Sequence, residues 1–191
     1  VDALNAALTC PVIDAHMGIT AENIAERWQI SREEQDELAV ESHRRAARAI
    51  AENRFGSQIL PIEVKSRQGT LLFAEDEHVR KGASLADLAK VRPHFKQDGT
   101  VTAANASGLN DGAAALVLMD SVQAAEKGVT ALAKIVGYSF AAVEPGIMGI
   151  GPIPAVRKLL QKTGLAVADI DLWEVNEAFA AQALAVCRDL K

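Results

Sequence analysis

The spacing of apolar residues divides the chain into an irregular first half and a regular second half. Residues 1–20 read as a short apolar segment and then a turn, Asp14-Ala-His-Met-Gly18. Thr20 is placed to cap a short helix that carries Ile24 and Trp28 on one face. Ser31 and Glu34 have the spacing of a capping box, in which hydroxyl and carboxylate each satisfy a free amide. The helix they open is expected to run to about Asn53, with Leu38, Ser42, Ala46 and Ala49 or Ile50 recurring along it and Gly56 available to stop the chain. Ile59 to Phe73 has strand character across a turn at Gln68-Gly69. Ser84 to Lys90 has room for one helical turn or two, and Pro93 to Gly99 reads as a connection. Residues 1 to about 95 therefore have the look of an α+β insertion.

After that the order becomes regular. Ala113–Met119 is a continuous apolar run, the pattern of a strand covered on both faces. Ser121 is placed to cap a helix that Gly128 ends, and Ala133–Phe140 is the next strand candidate, interrupted at Gly137. Pro152–Thr163 reads as a helix with its prolines in the first turn and Gly164 at its end. Ile170–Val175 is a further strand and Glu177–Cys187 a further helix. The order β-α-β-α-β-α predicts the α/β class. Three strands make a thin sheet with raw edges, so a neighbour, either another chain or further sequence, is expected to complete it.

Composition narrows the function classes. Of 191 residues, 49% are apolar and 24% charged, which suits a folded globular protein. The net charge is −5, and no long basic block occurs, which argues against nucleic acid as a partner. Arg44, Arg45 and Arg48 read as a solvated helix face. Cys10 and Cys187 are too few for a disulfide framework, stand in no metal-ligand spacing and fit a reducing compartment. His16, His43, His78 and His94 are scattered, so no metal site is expected. No apolar run approaches membrane-spanning length and no signal peptide is evident, so a cytoplasmic protein without a membrane partner is expected. The chain starts at Val1 without a methionine and stops in Arg188-Asp-Leu-Lys191, which leads to the expectation of a piece cut from a longer protein.

Candidate chemistry gathers at two segments. Asn105-Ala-Ser-Gly-Leu-Asn-Asp-Gly112 is polar and glycine-rich before an apolar run, and Trp173-Glu-Val-Asn-Glu-Ala-Phe179 ends a strand candidate in polar groups. Open α/β sheets place binding crevices at such strand ends. Asn176 can cap the following helix or offer its amide to a carbonyl or a water, and the two uses compete for one side chain. Ser107, between Ala106 and Gly108, is either a plain turn residue or a ligand contact; the surrounding sequence is no nucleophile elbow. Met148 sits in a glycine-rich apolar stretch suited to filling an irregular gap or lining an acyl pocket. Arg80, Lys81 and Arg92 can hold an external phosphate, or pair with Glu75, Asp76 and Glu77.

Four segments together resemble the thiolase family, in its acetyl-CoA acetyltransferase and 3-ketoacyl-CoA thiolase branch. They are His16-Met-Gly-Ile-Thr-Ala-Glu-Asn23, Gly99-Thr-Val-Thr-Ala-Ala-Asn-Ala-Ser-Gly-Leu-Asn-Asp-Gly-Ala114, Met148-Gly-Ile-Gly-Pro-Ile-Pro-Ala155 and Asn176-Glu-Ala-Phe-Ala-Ala-Gln-Ala183. The resemblance implies part of a layered α-β-α-β-α fold. Residues 1–105 would be most of its coenzyme A-binding loop domain, residues 106–129 the last strand and helix of the N-terminal half, and residues 130–191 the opening of the C-terminal half. It implies His16 and Met17 as contacts to coenzyme A and its pantetheine arm, Arg80 near the nucleotide, and Ser107 on the pantetheine amides. Met148, Ala178 and Phe179 would line the acyl pocket, and Asn176 would hold the water of an oxyanion hole.

The same resemblance implies an acyltransferase with CoA and acyl-CoA as substrates, no tightly bound cofactor and no metal, assembled as a dimer or tetramer. Its covalent residues are two cysteines and a Gly-His-Pro histidine, and neither Cys10 nor Cys187 stands in the matching motif. The chain alone is therefore expected to be inactive. Two other accounts stay open: one component of a split thiolase, and a non-catalytic acyl-CoA-binding or structural domain of thiolase type.

Overall fold

Helix α1 (Ala3–Ala7) opens the computed structural model, which describes residues 2–67 and 69–191. Two short strands follow, β1 (Thr9–Cys10) and β2 (Ala15–His16), paired antiparallel. Asp14 turns the chain between them at φ +48, a left-handed conformation that aspartate tolerates. Helix α2 (Met17–Arg27) starts directly from β2. Its cap is His16 rather than Thr20. His16 Nδ1 accepts the Gly18 amide at 3.0 Å, whereas Thr20 lies within the helix and donates its hydroxyl back to the Met17 carbonyl at 2.7 Å. A strand running straight into the helix moves the first free amides, and so the cap, upstream.

The capping box at Ser31 and Glu34 forms as expected: Glu34 donates its amide to Ser31 Oγ at 3.1 Å, and Ser31 donates its own to Glu34 Oε2 at 2.8 Å. It opens α3 (Arg32–Ala51). Asn53, at φ +52, turns the chain before Gly56 is reached. Arg44 and Arg45 both pair with Glu41 on the outer face, so the basic run is a solvated surface.

Strands β3 (Ile62–Ser66) and β4 (Gly69–Phe73) form an antiparallel hairpin with Ile62 opposite Phe73 and Ser66 opposite Gly69. Of the expected turn, Gly69 adopts φ +125 and Gln68 lies outside the described residues. Ser84 caps the single turn α4 (Leu85–Leu88). Helix α5 (Ser121–Glu126) is capped by Asp120 rather than Ser121, because the aspartate carboxylate reaches the Val122 and Gln123 amides. A 3-10 turn over Pro145–Ile150 leads into α6 (Pro152–Thr163), which Gly164 ends at φ +73, as its sequence predicts. After a second 3-10 turn at Val167–Asp169 the chain reaches α7 (Ala180–Asp189), which starts later than Glu177.

The architecture is mixed α/β, with helices alternating with small antiparallel sheets. Residues 113–119, 133–140 and 170–175, expected as strands, take no strand partner among the described residues. Their apolar side chains stay largely uncovered: Val117 is 92% and Phe140 79% exposed. A strand is defined by its neighbours' hydrogen bonds, and the apolar pattern alone does not supply them.

The core lies between α2, α7 and the Pro145–Ile150 turn. Ile24, Ile30, Ile147 and Ala185 are buried together, with Trp28, Ile150 and Leu184 packed against them. Gly149 sits where a β-carbon would fall 2.8 Å from Gln182 Cγ and 2.9 Å from Ile24 Cδ1. The absent side chain lets the turn pack this close. Among the described residues no helix is long and apolar enough to cross a membrane.

Candidate functional site

A buried polar network sets the backbone of the Asn105–Gly108 loop. Glu22, on α2, accepts amides from Thr100 and Val101 and the Thr100 hydroxyl. Gln35, on α3, donates to Thr100 Oγ1 at 2.9 Å. Asp36, one residue on, receives Arg32 Nε at 2.7 Å and Asn105 Nδ2 at 2.9 Å. Asn105 Oδ1 accepts the Thr102 amide at 2.8 Å, so one carboxamide serves both helix and loop. Such groups are buried at little net cost only when each finds a partner; here Gln35 Oε1 is the exception, buried without one.

The loop is then joined to the start of α7. Ala180 donates its amide to the Asn105 carbonyl at 2.9 Å, and Ser107 donates its amide to the Ala178 carbonyl at 3.0 Å. This seam brings together the two segments that the sequence singles out. On one side lies a cleft of about 360 Å³ lined by His43, His78, Arg80, Ser107, Gly108 and Glu177, among others. On the other lies a more apolar cavity of about 480 Å³, lined by Met17, Ile24, Met148, Asn176, Ala178 and Phe179, with Trp173 and Gln182. Ser107 and Arg80 thus share the cleft, and Met17, Met148, Asn176, Ala178 and Phe179 share the cavity.

His16 lines neither space. Its ring stacks on Phe95 with centroids 4.8 Å apart, and Phe95 meets Phe179 edge-on at 6.2 Å. The histidine is therefore one aromatic ring removed from the cavity wall. Its Nδ1 is committed to capping α2. Phe95 lies so close over Gly18 that any β-carbon there would collide with its ring.

Asn176 is not a helix cap. Helix α7 begins at Ala180, and the Asn176 side chain holds no hydrogen bond among the described residues. Glu177 instead accepts the Ser42 hydroxyl at 2.7 Å, tying the segment to α3. In the cleft, His43 Nδ1 accepts the Arg80 amide at 3.3 Å. Burial, and then the nearby Arg80 charge, lower the His43 pKa from its ordinary value. Lys81 pairs with Glu75, whereas Arg80 has no ion pair among the described residues. The guanidinium is thus uncommitted beside the Ser107 loop. Cys10 and Cys187 line neither space. Among the described residues no group of three or more His, Cys, Asp or Glu side chains is arranged to hold a metal ion.

Sequence reasoning passed over Phe95, His43, His78 and Gln182. Phe95 falls in a stretch that reads as a connection, and its role comes from contacts distant in sequence. The histidines carry no spacing signal. For Gln182 a signal exists, a glutamine on an alanine-rich helix face, and its weight appears only once that face is seen to be buried.

Known proteins match along nearly the whole chain. The thiolase N-terminal domain family matches residues 2–122, and the thiolase C-terminal domain family matches residues 129–191. An acetyl-CoA acetyltransferase of Rhizobium meliloti is 57% identical over 92% of this chain and 44% of its own length. The crystal structure of the Bacillus anthracis acetyl-CoA acetyltransferase superimposes with a TM-score of 0.92 at 52% identity, covering 99% of this chain and 48% of that one. Human mitochondrial 3-ketoacyl-CoA thiolase in complex with CoA gives a TM-score of 0.90 at 46% identity, over 99% of this chain and 47% of that one. The chain spans less than half the length of these relatives.

Proposed function

Because the chain belongs to the thiolase family, we propose that it forms the acyl-CoA-binding wall of an acyl-CoA C-acyltransferase. The whole protein would interconvert two acyl-CoA molecules with a 3-ketoacyl-CoA and free CoA through a cysteine-bound acyl group. The observation that carries this reading is the seam from Ser107 to Ala178, which sets the Arg80 cleft and the Asn176 cavity on two sides of one strip of chain. An elongated ligand with an anionic head and an apolar thioester end has matching surroundings there.

Each residue has a role in that reading. Arg80 offers a planar fork of donors to the nucleotide phosphates. The Ser107 hydroxyl serves the pantetheine amides and Met17 lies along the same arm, while His16, proposed from the sequence as a further contact, stands one ring behind the wall and supports it through Phe95. Met148, Ala178 and Phe179 enclose the acyl group. The Asn176 amide, free of protein partners among the described residues, orients a water toward the thioester oxygen, where negative charge develops in the transition state. Pre-aimed donors at that point stabilise the transition state more than the ground state. Residues 1–105 would belong to the loop domain, 106–129 would close the N-terminal half, and 130–191 would open the C-terminal half.

The covalent steps need a thiolate in the site, which Cys10 and Cys187 do not supply. The 191-residue chain is thus a binding element without turnover. The intact enzyme would act as a dimer or tetramer, a reading supported by the family resemblance, and in the cytoplasm, a reading supported only by the absence of an evident signal peptide in this sequence. Calorimetric titration with CoA tests the proposal. Binding is expected, Arg80→Ala is expected to weaken it, and acetoacetyl-CoA is expected to remain uncleaved by the chain when CoA is added. No binding, or binding indifferent to Arg80→Ala and Ser107→Ala, would overturn it.

A further inference from the structure

The hairpin of β3 and β4 stands outside both the cleft and the cavity, and all its described residues are exposed. Its pairing register sorts them onto two faces. Ile62 and Val64 share one face with Phe73 and Leu71, whereas Glu63 and Lys65 share the other with Leu72 and Thr70. Each charge therefore stands across from an uncharged residue, and neither Glu63 nor Lys65 joins an ion pair among the described residues. A two-stranded hairpin is marginally stable by itself and gains from further strands. The edge of β3 is open, because the strand pairs with β4 alone among the described residues. The pair that closes the hairpin, Ser66 and Gly69, is a hydrogen-bonded one, so alternation along the ladder turns the backbone groups of Ile62 and Val64 toward β4 as well. Those of Glu63 and Lys65 point away from it, toward the open edge. Pro61, which has no N–H to donate, bounds that edge just ahead of β3.

We propose that β3 is a docking edge for β3 of a second copy of this chain, in an antiparallel two-fold pairing centred on Val64. Charge selects the register. With Val64 facing Val64, Glu63 of each copy meets Lys65 of the other, so the ion pair occurs twice. The same two residues present their amides and carbonyls at the open edge, so backbone and side chains favour one arrangement. A one-residue slip would set the apolar face of one copy beside the charged face of the other. A two-residue slip would set Glu63 against Glu63 or Lys65 against Lys65. The open edge of β4 presents Thr70 and Leu72, which carry no charge to fix a register. The pairing extends the two hairpins into one four-stranded sheet, with Ile62, Val64, Leu71 and Phe73 of both copies on a continuous face. Five residues a side make a contact smaller than that of stable complexes, so the association is weak, with a Kd on the order of 0.1 mM.

Sedimentation velocity of the chain over a range of concentrations tests this, and a monomer–dimer equilibrium is expected. Glu63→Lys and Lys65→Glu are each expected to weaken it about tenfold, because both ion pairs become like-charge contacts. The double variant Glu63→Lys/Lys65→Glu restores opposite charges in the same register and is expected to recover the wild-type dimer. Cross-linking reads the register itself. With Cys10 and Cys187 replaced by serine, Val64→Cys is expected to give a disulfide-linked dimer under mild oxidation, since a pair of this kind holds its Cα atoms about 4.5 Å apart. Ile62→Cys, which faces Ser66 of the second copy, is expected to cross-link far less. CoA binding is expected to be unchanged in the charge variants, because neither residue lines the cleft or the cavity. A chain that stays monomeric at every concentration overturns the proposal. An association that the single reversals leave intact does so too, by placing the contact on another surface such as the apolar runs at 113–119 or 133–140. A double variant that folds without regaining the dimer, or equal cross-linking at positions 62 and 64, has the same consequence.

Discussion

Asn105 donates from Nδ2 to Asp36 Oδ1 at 2.9 Å, and both residues are 3% exposed. The same aspartate receives Arg32 Nε at 2.7 Å, and Arg32 in turn donates to the Leu88 and Val91 carbonyls at the end of α4. One carboxylate therefore ties α3 to the loop that carries Ser107. Asp36→Ala strands a half-buried guanidinium and a buried carboxamide at once, and its expected cost is on the order of 3 kcal/mol. Urea denaturation measures this. CoA affinity is expected to fall together with stability, because the Ser107 amide loses its fixed approach to Ala178. Asn105→Ala is expected to act in the same direction, and the pair is expected to be less than additive because they share one network.

Gly18 and Phe95 give a second test. The ring lies on the glycine in the first turn of α2, stacks on His16 and reaches Phe179 by its edge. Gly18→Ala would gain helix propensity on an isolated helix. Here the added methyl drives the ring away, and overpacking of this kind costs about 1–3 kcal/mol. The expected outcome is a lower melting temperature and loss of the His16–Phe95 stack, seen as a change in the His16 ring chemical shifts. Phe95→Leu in the Gly18→Ala background is expected to recover part of the stability without restoring the stack.

The cleft also predicts a pH dependence. Burial and then Arg80 hold the folded-state pKa of His43 below its ordinary value of 6.5. The unfolded chain therefore binds more protons than the folded one as pH falls through this range. The stabilising contribution is present above the ordinary histidine pKa and is lost as pH falls through the lowered one. Protonation also removes the Nδ1 acceptor used by the Arg80 amide and adds a positive charge beside the guanidinium. Melting temperatures recorded from about pH 7.5 down to about pH 5 are expected to decline more steeply for the wild type than for His43→Gln. Parallel curves would remove His43 from the account.

Local signals in the sequence were reliable where the partners are neighbours along the chain. Ser31 and Glu34 face each other three residues apart, and Gly164 follows the last turn it terminates. Competition between adjacent residues limits such readings: Asp120 takes the cap from Ser121 because its carboxylate reaches the same amides one residue earlier. The four resembling segments marked Met17, Ser107, Met148, Asn176, Ala178 and Phe179, which line the cleft or the cavity, and also His16, which lines neither. The network that aligns them was not legible, because Glu22, Asp36 and Asn105 matter through contacts with distant residues. The apolar runs at 113–119, 133–140 and 170–175 report what those segments would bury, while ladder formation depends on neighbours that the pattern does not contain.

Two glycines separate the cost of conformation from the cost of space. Gly164 ends α6 at φ +73, and a β-carbon there would meet nothing within 4 Å. Gly164→Ala therefore pays for the left-handed backbone alone, an expected loss of about 1 kcal/mol. Asparagine tolerates this conformation better than alanine, so Gly164→Asn is expected to lose less. CoA binding is expected to be unchanged in both, because neither the cleft nor the cavity includes this residue. Gly149 presents the opposite case: its β-carbon would sit 2.8 Å from Gln182 Cγ and 2.9 Å from Ile24 Cδ1. Gly149→Ala has to push apart the Pro145–Ile150 turn and α7, at an expected cost of about 1–3 kcal/mol. It also moves the Gln182 stem at the cavity wall, so binding of acetyl-CoA is expected to weaken with it. Parallel denaturation and titration of the three variants separate the two effects. Equal stability losses at Gly149 and Gly164 accompanied by unchanged acetyl-CoA binding would show that the contact at Gln182 yields freely and does not hold the side chain in place.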